Sequence, residues 1–254
     1  MKATLLGTGT SQGVPVIGCR CEVCMSPNPH DSRLRTSALI TDGKTNILID
    51  CGPDMRQQML RIGIAHLDAI LLTHEHNDHI IGLDEIRPFN FLQNMIMPFW
   101  ATDRVKAELY RRFSFAFEDE PYPGAPRAKV EPLEKNKSVT IGGINILPIE
   151  ASHGQMPVMA FRVGDFTYMT DVKFIEPDQI DLIKGTRYLV INALRREAHH
   201  SHLSLSEALQ LIEQIKPEMA YLTHISHHLG TEANLNKELP ANVKLGYDGQ
   251  EIVW

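Results

Sequence analysis

Short apolar runs bounded by turn residues dominate the N-terminal half of the chain. Ala3–Thr8, Ser37–Thr41, Asn46–Asp50 and Asp68–Thr73 are each β-prone and unbroken, which predicts buried strands rather than helices. Asp42-Gly43 between the second and third runs predicts a hairpin turn. Proline at its start and Gly63 as its stop frame a helix over Pro53–Ile62. Helical stretches are expected near Gly82–Asn94 and Asp103–Phe113, and the apolar-aromatic stretch Pro88–Trp100 reads as core. Between Phe113 and Val130 a Pro, Gly and acidic segment has no period and predicts an exposed loop or lid.

The second half repeats the scheme. Ser138–Ile141 and Ile144–Glu150 flank Gly142-Gly143, and Ala160–Val163 and Thr167–Thr170 flank Gly164-Asp165. A helix near Pro177–Ile183 precedes a strand at Tyr188–Ala193. Ser204 and Glu207 form a capping-box pattern, and Ala208, Leu211, Ile212 and Ile215 give the following helix an apolar stripe that ends at Pro217. Met219–Thr223 predicts another strand, and Leu245–Trp254 a closing hairpin through Asp248-Gly249. Hairpins followed by alternating strand and helix, twice over, predict an α/β fold. Two β-rich halves pack face to face with helices outside, in one domain over 1–254.

Composition changes this picture little. Of 254 residues 43% are hydrophobic and 22% charged, an ordinary globular profile. The net charge of −6 argues against a general nucleic-acid binder, and no stable nucleic-acid complex is expected. No apolar run approaches the ~18 residues of a bilayer span. The start turns glycine-rich too early for a signal peptide, so a cytoplasmic location is the expectation. Twelve histidines are more than a core of this size needs, and the excess points toward chemistry.

Residues 74–79 read His74-Glu75-His76-Asn77-Asp78-His79, directly after the strand that runs to Thr73. Four metal-type ligands in six positions at a strand's end predict a tight loop that gathers them on one point. Imidazole with carboxylate suits Zn²⁺, Mn²⁺ or Fe, and so many ligands suggest more than one ion. His153, Asp171 and His224 each follow a later predicted strand; alone each is uninformative, but ligands at strand ends on one rim can meet. Separately, Cys19, Cys21 and Cys24 place three of the four cysteines within six residues, a spacing that indicates Zn²⁺ more than a disulfide. Cys51 is most simply a buried small hydrophobe. Gly7, Gly9 and Gly13 do not fit a dinucleotide loop and read as close-packed turn positions. Arg33 and Arg35 lie in a polar stretch and are expected at the solvated surface, with contact to a phosphate as the alternative.

These motifs resemble the metallo-β-lactamase superfamily, whose signature is His-x-His-x-Asp-His with a later His, Asp and His. The likeness spans the chain and implies a four-layer αββα sandwich. It implies that His74, His76 and His153 hold one divalent ion, that Asp78, His79 and His224 hold a second, and that Asp171 bridges the two. Asp50 resembles the family's earlier aspartate, which orients the ligand loop. Gly18-Cys19-Arg20-Cys21 with Cys24, and Thr223-His224-Ile225-Ser226-His227, are similar to the PhnP family of phosphodiesterases. That similarity implies that His227 completes a structural Cys₃His zinc site. Ser201-His202-Leu203-Ser204 resembles the motif that carries a catalytic histidine in the phosphodiesterase branch.

The resemblance implies a hydrolase of small cyclic phosphodiesters, of the 5-phosphoribosyl 1,2-cyclic phosphate or 2′,3′-cyclic nucleotide type. It implies two active-site ions (Mn or Zn, or Fe) that generate a hydroxide nucleophile, with catalytic parts for His202 and Asp78. A protonated His202 would stabilise the phosphate and help the leaving alkoxide. A homodimer is common in such a family. The alternatives are transfer-RNA 3′ processing, lactone or thioester hydrolysis on the same metals, and a zinc-binding module without catalysis. His199 and His200 receive no assignment.

Overall fold

Six strands of the N-terminal half build most of one sheet. β1 (Lys2–Gly7), β2 (Ser37–Thr41) and β3 (Asn46–Ile49) pair antiparallel, and β4 (Ala69–Leu71), β5 (Met97–Ala101) and β6 (Ala128–Pro132) extend the sheet in parallel. A second sheet repeats the plan. β7 (Val139–Ile141), β8 (Ile144–His153), β9 (Met156–Val163) and β10 (Phe166–Met169) run antiparallel, then β11 (Tyr188–Asn192), β12 (Met219–Thr223) and β13 (Val243–Leu245) follow in parallel. The last strand, β14 (Glu251–Val253), returns to the first sheet beside β1. The computed structural model describes residues 1–254.

Side-chain alternation explains the layers. In β3, Ile47 and Ile49 face the space between the sheets, where they join Phe161, Tyr168 and Val190 of the second sheet, while Leu48 faces outward. The outward face of the first sheet packs on α1 (Met55–Ile62), α3 (Arg87–Gln93) and α4 (Asp103–Arg112), through Met55, Phe89, Val105 and Leu109; between α1 and α3 the chain makes the short α2 (Asn77–Ile80). On the second sheet, Leu189, Ile191 and Leu222 face α5 (Pro177–Ile183) and α6 (Leu205–Ile215), and the short α7 (Glu232–Leu235) adds Leu235. Because both faces of each central strand are covered, those strands read as continuous apolar runs. Truncating a fully buried leucine such as Leu48 to alanine costs about 2–5 kcal/mol. The result is the αββα sandwich.

The helix boundaries follow their sequence signals. Gly63, in the left-handed region at φ 64°, ends α1, and the Ser204–Glu207 capping box opens α6. Several expectations need correction. The Gly82–Asn94 stretch is not one helix: a 3₁₀ segment, Ile81–Ile86, precedes α3, and Asn94 at φ 48° ends it. Within the stretch read as core, β5 buries Met97 and Phe99, whereas Phe91 and Leu92 on α3 are exposed; the edge strand β6 lies where a loop was expected, because its exposed polar positions mask its pattern.

The C-terminal hairpin is also absent, since β13 belongs to the second sheet and β14 to the first. Asp248 anchors the crossing between them. Its buried carboxylate accepts hydrogen bonds from Thr8 N and Oγ1, both at 2.9 Å, and from Leu34 N at 2.7 Å. Arg33, expected at the surface, is buried in the same knot and donates to Thr8 Oγ1 and to the Gly246 carbonyl. Arg35 is half-buried and paired with Asp54 at 3.1 Å.

Candidate metal centres

The C-terminal ends of β3, β4, β8, β10 and β12 open on a shared rim, because β3 and β4 are parallel and β8, β10 and β12 share one direction. Asp50, Asp171 and His224 are the residues immediately after β3, β10 and β12 or one step on, and all three adopt positive φ, at 61°, 59° and 53°. Non-glycine residues seldom do so, and such strain concentrates where the backbone must aim a side chain. His153 is the last residue of β8, which runs three residues beyond the expected Glu150. The histidine motif is not wholly a loop: His76 stands at the N-cap of α2, and Asp78 and His79 lie on α2 itself. Gly52 and Gly82 allow this helix to press on the turn after β3, since a Cβ on Gly52 would overlap the Asp78 carbonyl.

The seven metal-type residues converge. Ligand atoms of His74, His76 and His153 lie within 4.8 Å of one another, as do those of Asp78, His79 and His224. Asp171 stands between the two groups: its Oδ2 is 3.3 Å from His79 Nε2, and its Oδ1 is 3.2 Å from His224 Nε2. His202 joins from the side, with Nδ1 3.6 Å from Asp171 Oδ1 and its ring 4.4 Å from that of His153. His199 is next in line, 5.1 Å from His202 ring to ring.

Hydrogen bonds behind the cluster fix how each imidazole presents itself. His79 Nδ1 donates to Asp50 Oδ2 at 2.6 Å, and His153 Nδ1 donates to the Ser201 carbonyl at 2.7 Å, which leaves each Nε2 as a lone pair toward the centre. Asp50 in turn accepts from Thr73 N and Oγ1, both at 2.9 Å, and His74 Nδ1 bonds Thr73 Oγ1 at 2.9 Å. The supporting parts of Thr73 and of the Ser201 carbonyl are not legible in the sequence, because a threonine hydroxyl or a backbone carbonyl carries no motif of its own.

These residues fit divalent cations. His74 Nε2, His79 Nε2 and His224 Nε2 are buried without a hydrogen-bond partner, and buried polar atoms are rarely left so. Burial alone would keep His79 neutral, yet Asp78, Asp171 and Asp50 around it hold its pKa well above the ordinary value. Burial pushes Asp171 up, but His224 and His79 outweigh it and hold the carboxylate ionised. The pocket is therefore built for positive charge. Burial together with the neighbouring His224 pushes His202 down to about 2, which favours the neutral imidazole there.

The cysteines form a second group. Cys19, Cys21 and Cys24 place Sγ at 3.3, 3.4 and 3.4 Å from one atom, His227 Nδ1. A single ring nitrogen cannot hydrogen-bond three thiols, whereas a tetrahedral Zn²⁺ with three S and one N ligand gives S···N edges of about 3.5 Å. Backbone donation from Cys24 N lowers the Cys21 thiol, while burial pushes Cys24 up to about 11. Cys51 is fully buried and apart from this group.

An αββα sandwich with clustered imidazoles and carboxylates on its rim is the frame of the metallo-β-lactamase fold. Residues 45–225 match the family model described as Beta-lactamase superfamily domain, and the chain belongs to the metallo-β-lactamase superfamily. A crystal structure of a new diphosphatase from the PhnP family superposes with a TM-score of 0.92 at 34% identity, covering 100% of this chain and 97% of that one. Zn²⁺-bound PqqB from Methylobacterium extorquens shares the fold, with a TM-score of 0.80 at 17% identity and full coverage of both chains (100% and 100%). The octanoyltransferase of Porphyromonas gingivalis is 40% identical over 100% of this chain but 51% of its own length. The chain thus spans about half of that curated relative. The chain has the metallo-β-lactamase fold and resembles the PhnP family, and no helix is long and apolar enough to cross a membrane.

Proposed function

We propose that this chain is a phosphodiesterase that uses two divalent cations on a small, cyclic phosphodiester. The observation that carries the reading is His202: its Nδ1 is 3.6 Å from Asp171 Oδ1 and its ring 4.4 Å from that of His153, which puts an imidazole within reach of a phosphoryl group held between the two triads. His74, His76 and His153 would hold one ion, Asp78, His79 and His224 the other, with Asp171 shared between them. Bound there, the cations supply Lewis acidity toward a phosphoryl oxygen and make water acidic enough to ionise near neutral pH.

The chain's own residues do the remainder. Asp50 and the Ser201 carbonyl keep His79 and His153 in the tautomers that ligate. Neutral His202 offers a hydrogen bond to the phosphate, and the charge of an arriving anion raises its pKa, so that it would take up a proton from solvent and pass it to the alkoxide as that departs. The 34% identical diphosphatase supports attack at phosphorus. In this reading Cys19, Cys21, Cys24 and His227 bind a third, structural zinc.

The test is hydrolysis of bis-p-nitrophenyl phosphate by metal-reloaded protein, with a chelator control and His202→Ala. Chelator-sensitive turnover that collapses in the variant is expected. A second reading, thioester hydrolysis, draws on the octanoyltransferase likeness. Turnover of an octanoyl thioester, with none of the phosphodiester, would select it and leave His202 without a role.

A further inference from the structure

His202 is held differently from its neighbours. His74, His79 and His153 each bond through Nδ1 to an oxygen behind the cluster. His202 Nδ1 is buried and has no hydrogen-bond partner. Its place, 3.6 Å from Asp171 Oδ1, is therefore set by what grips the chain on either side of it.

Three links do so. Before His202, the Ser201 carbonyl accepts from His153 Nδ1 at 2.7 Å. After it, Leu203 N bonds the Val172 carbonyl at 2.9 Å. The third runs through Glu207 in the first turn of α6, which uses both carboxylate oxygens. Oε2 accepts from Ser204 N and Oγ, both at 2.8 Å, and Oε1 accepts from Lys173 Nζ at 2.6 Å. The bonds to Ser204 are the capping box and are local to the helix. The bond to Lys173 is no part of a cap: it crosses 34 positions of chain to a lysine two residues after Asp171.

Lys173 is pinned on its other side as well. Its N bonds the Ser152 carbonyl at 2.7 Å, and Ser152 N bonds the Phe174 carbonyl at 2.8 Å, one residue before His153. One ion pair thus joins the segments that carry Asp171, His153 and His202. Its side chains are 25% and 34% exposed, so water screens the charges and the pair adds little to folding stability. The capping box already fixes the carboxylate, and β8 fixes the lysine main chain, so closing the pair costs little further side-chain freedom. Such a contact sets a distance more than it stabilises the fold.

We propose that Lys173 and Glu207 are positioning residues that hold the His202 imidazole in register with Asp171 and His153. Neither belongs to the metal triads, and both act through the backbone on either side of His202. The inference rests on the phosphodiesterase reading for what His202 does, and not for where it is held.

Lys173→Met breaks the strut and leaves the capping box whole, whereas Lys173→Arg keeps a cation on Glu207. On bis-p-nitrophenyl phosphate, metal-reloaded Lys173→Met is expected to lose about tenfold in kcat at nearly unchanged KM and melting temperature. Lys173→Arg should recover most of that loss. Glu207→Gln, which still accepts from Ser204 but carries no charge, should fall with Lys173→Met. A Lys173→Met rate equal to wild type, or a loss that arginine does not repair, overturns the strut.

A second readout needs no turnover. In zinc-loaded protein with isotope-labelled histidine, the His202 ring signal is identified by its disappearance in His202→Gln. It is expected to shift in Lys173→Met and to return in Lys173→Arg, while the His79 signal, fixed by Asp50, stays in place. An unmoved His202 signal refutes the proposal. If the wild-type chain hydrolyses no phosphodiester, the phosphodiesterase reading falls, and the spectra alone decide the strut.

Discussion

His224 and His227, three residues apart on the segment leaving β12, face two different clusters. His224 Nε2 lies 3.2 Å from Asp171 Oδ1, while His227 Nδ1 lies 3.3–3.4 Å from three cysteine sulfurs. The segment between them is held by Ile225 N bonding the Thr8 carbonyl at 2.9 Å and by Ser226 N bonding the Leu194 carbonyl at 3.0 Å. A cysteine loop near the N-terminus thereby braces a candidate catalytic ligand near the C-terminus.

That relationship gives the first prediction. Cys19→Ser should lose about one zinc per chain, lower the melting temperature, and largely keep the ions on the histidine rim. Elemental analysis with unchanged zinc would remove the structural-site assignment.

The carboxylates behind and between the triads should differ in effect. Asp171→Ala removes the group shared by both triads and is expected to abolish turnover. Asp50→Asn keeps the shape but weakens the hold on His79, and should cost about 10–100-fold in metal affinity or rate. Equal losses in the two variants, measured by metal titration and initial rates, would contradict this division of roles.

Helix α4 buttresses the histidine motif from outside. Arg104 donates to Glu75 Oε1 at 2.6 Å, and Arg112 to Asn77 Oδ1 at 2.6 Å. Glu75 is buried and its Oε2 has no partner, so Arg104→Ala strips the carboxylate of its only side-chain donor. Denaturant titration should show a loss of about 1–3 kcal/mol. A midpoint equal to wild type would make the contact incidental.

Acid should destabilise the metal-free protein through His202. In the folded chain its pKa is pushed down to about 2 by burial and by His224, from an ordinary 6.5. Between those values the unfolded chain binds a proton here and the folded chain does not. Stability therefore rises with pH across that window and is lost as pH falls below about 6.5. The urea midpoint should drop between about pH 7 and pH 5, with a shallower slope in His202→Gln. Identical slopes would sink the assignment.

Much of the site was legible because its chemistry is local. His74, His76, Asp78 and His79 crowd one short segment, and Cys19, Cys21 and Cys24 another, so spacing alone suggested metal. The central strands announced themselves as unbroken apolar runs because helices cover both outer faces of the sandwich. Distance along the chain hid the rest. Whether His153, Asp171 and His224 meet depends on β8, β10 and β12 sharing one direction, and on positive φ at Asp171 and His224, which no local pattern reports.

Arg33 and Asp248 show the same limit from the other side. Arg33 looks like a solvated charge and Asp248 like a turn residue in sequence, yet both side chains are buried because the chain crosses between sheets there and its free backbone groups need partners. The sequence by itself determined the ligand types, the central strands and the caps, since these follow from propensity and spacing within a few residues. Only the tertiary structure decided which ligands share a centre and that His202 is buried beside them. Those depend on burial and on pairings between residues far apart in the chain.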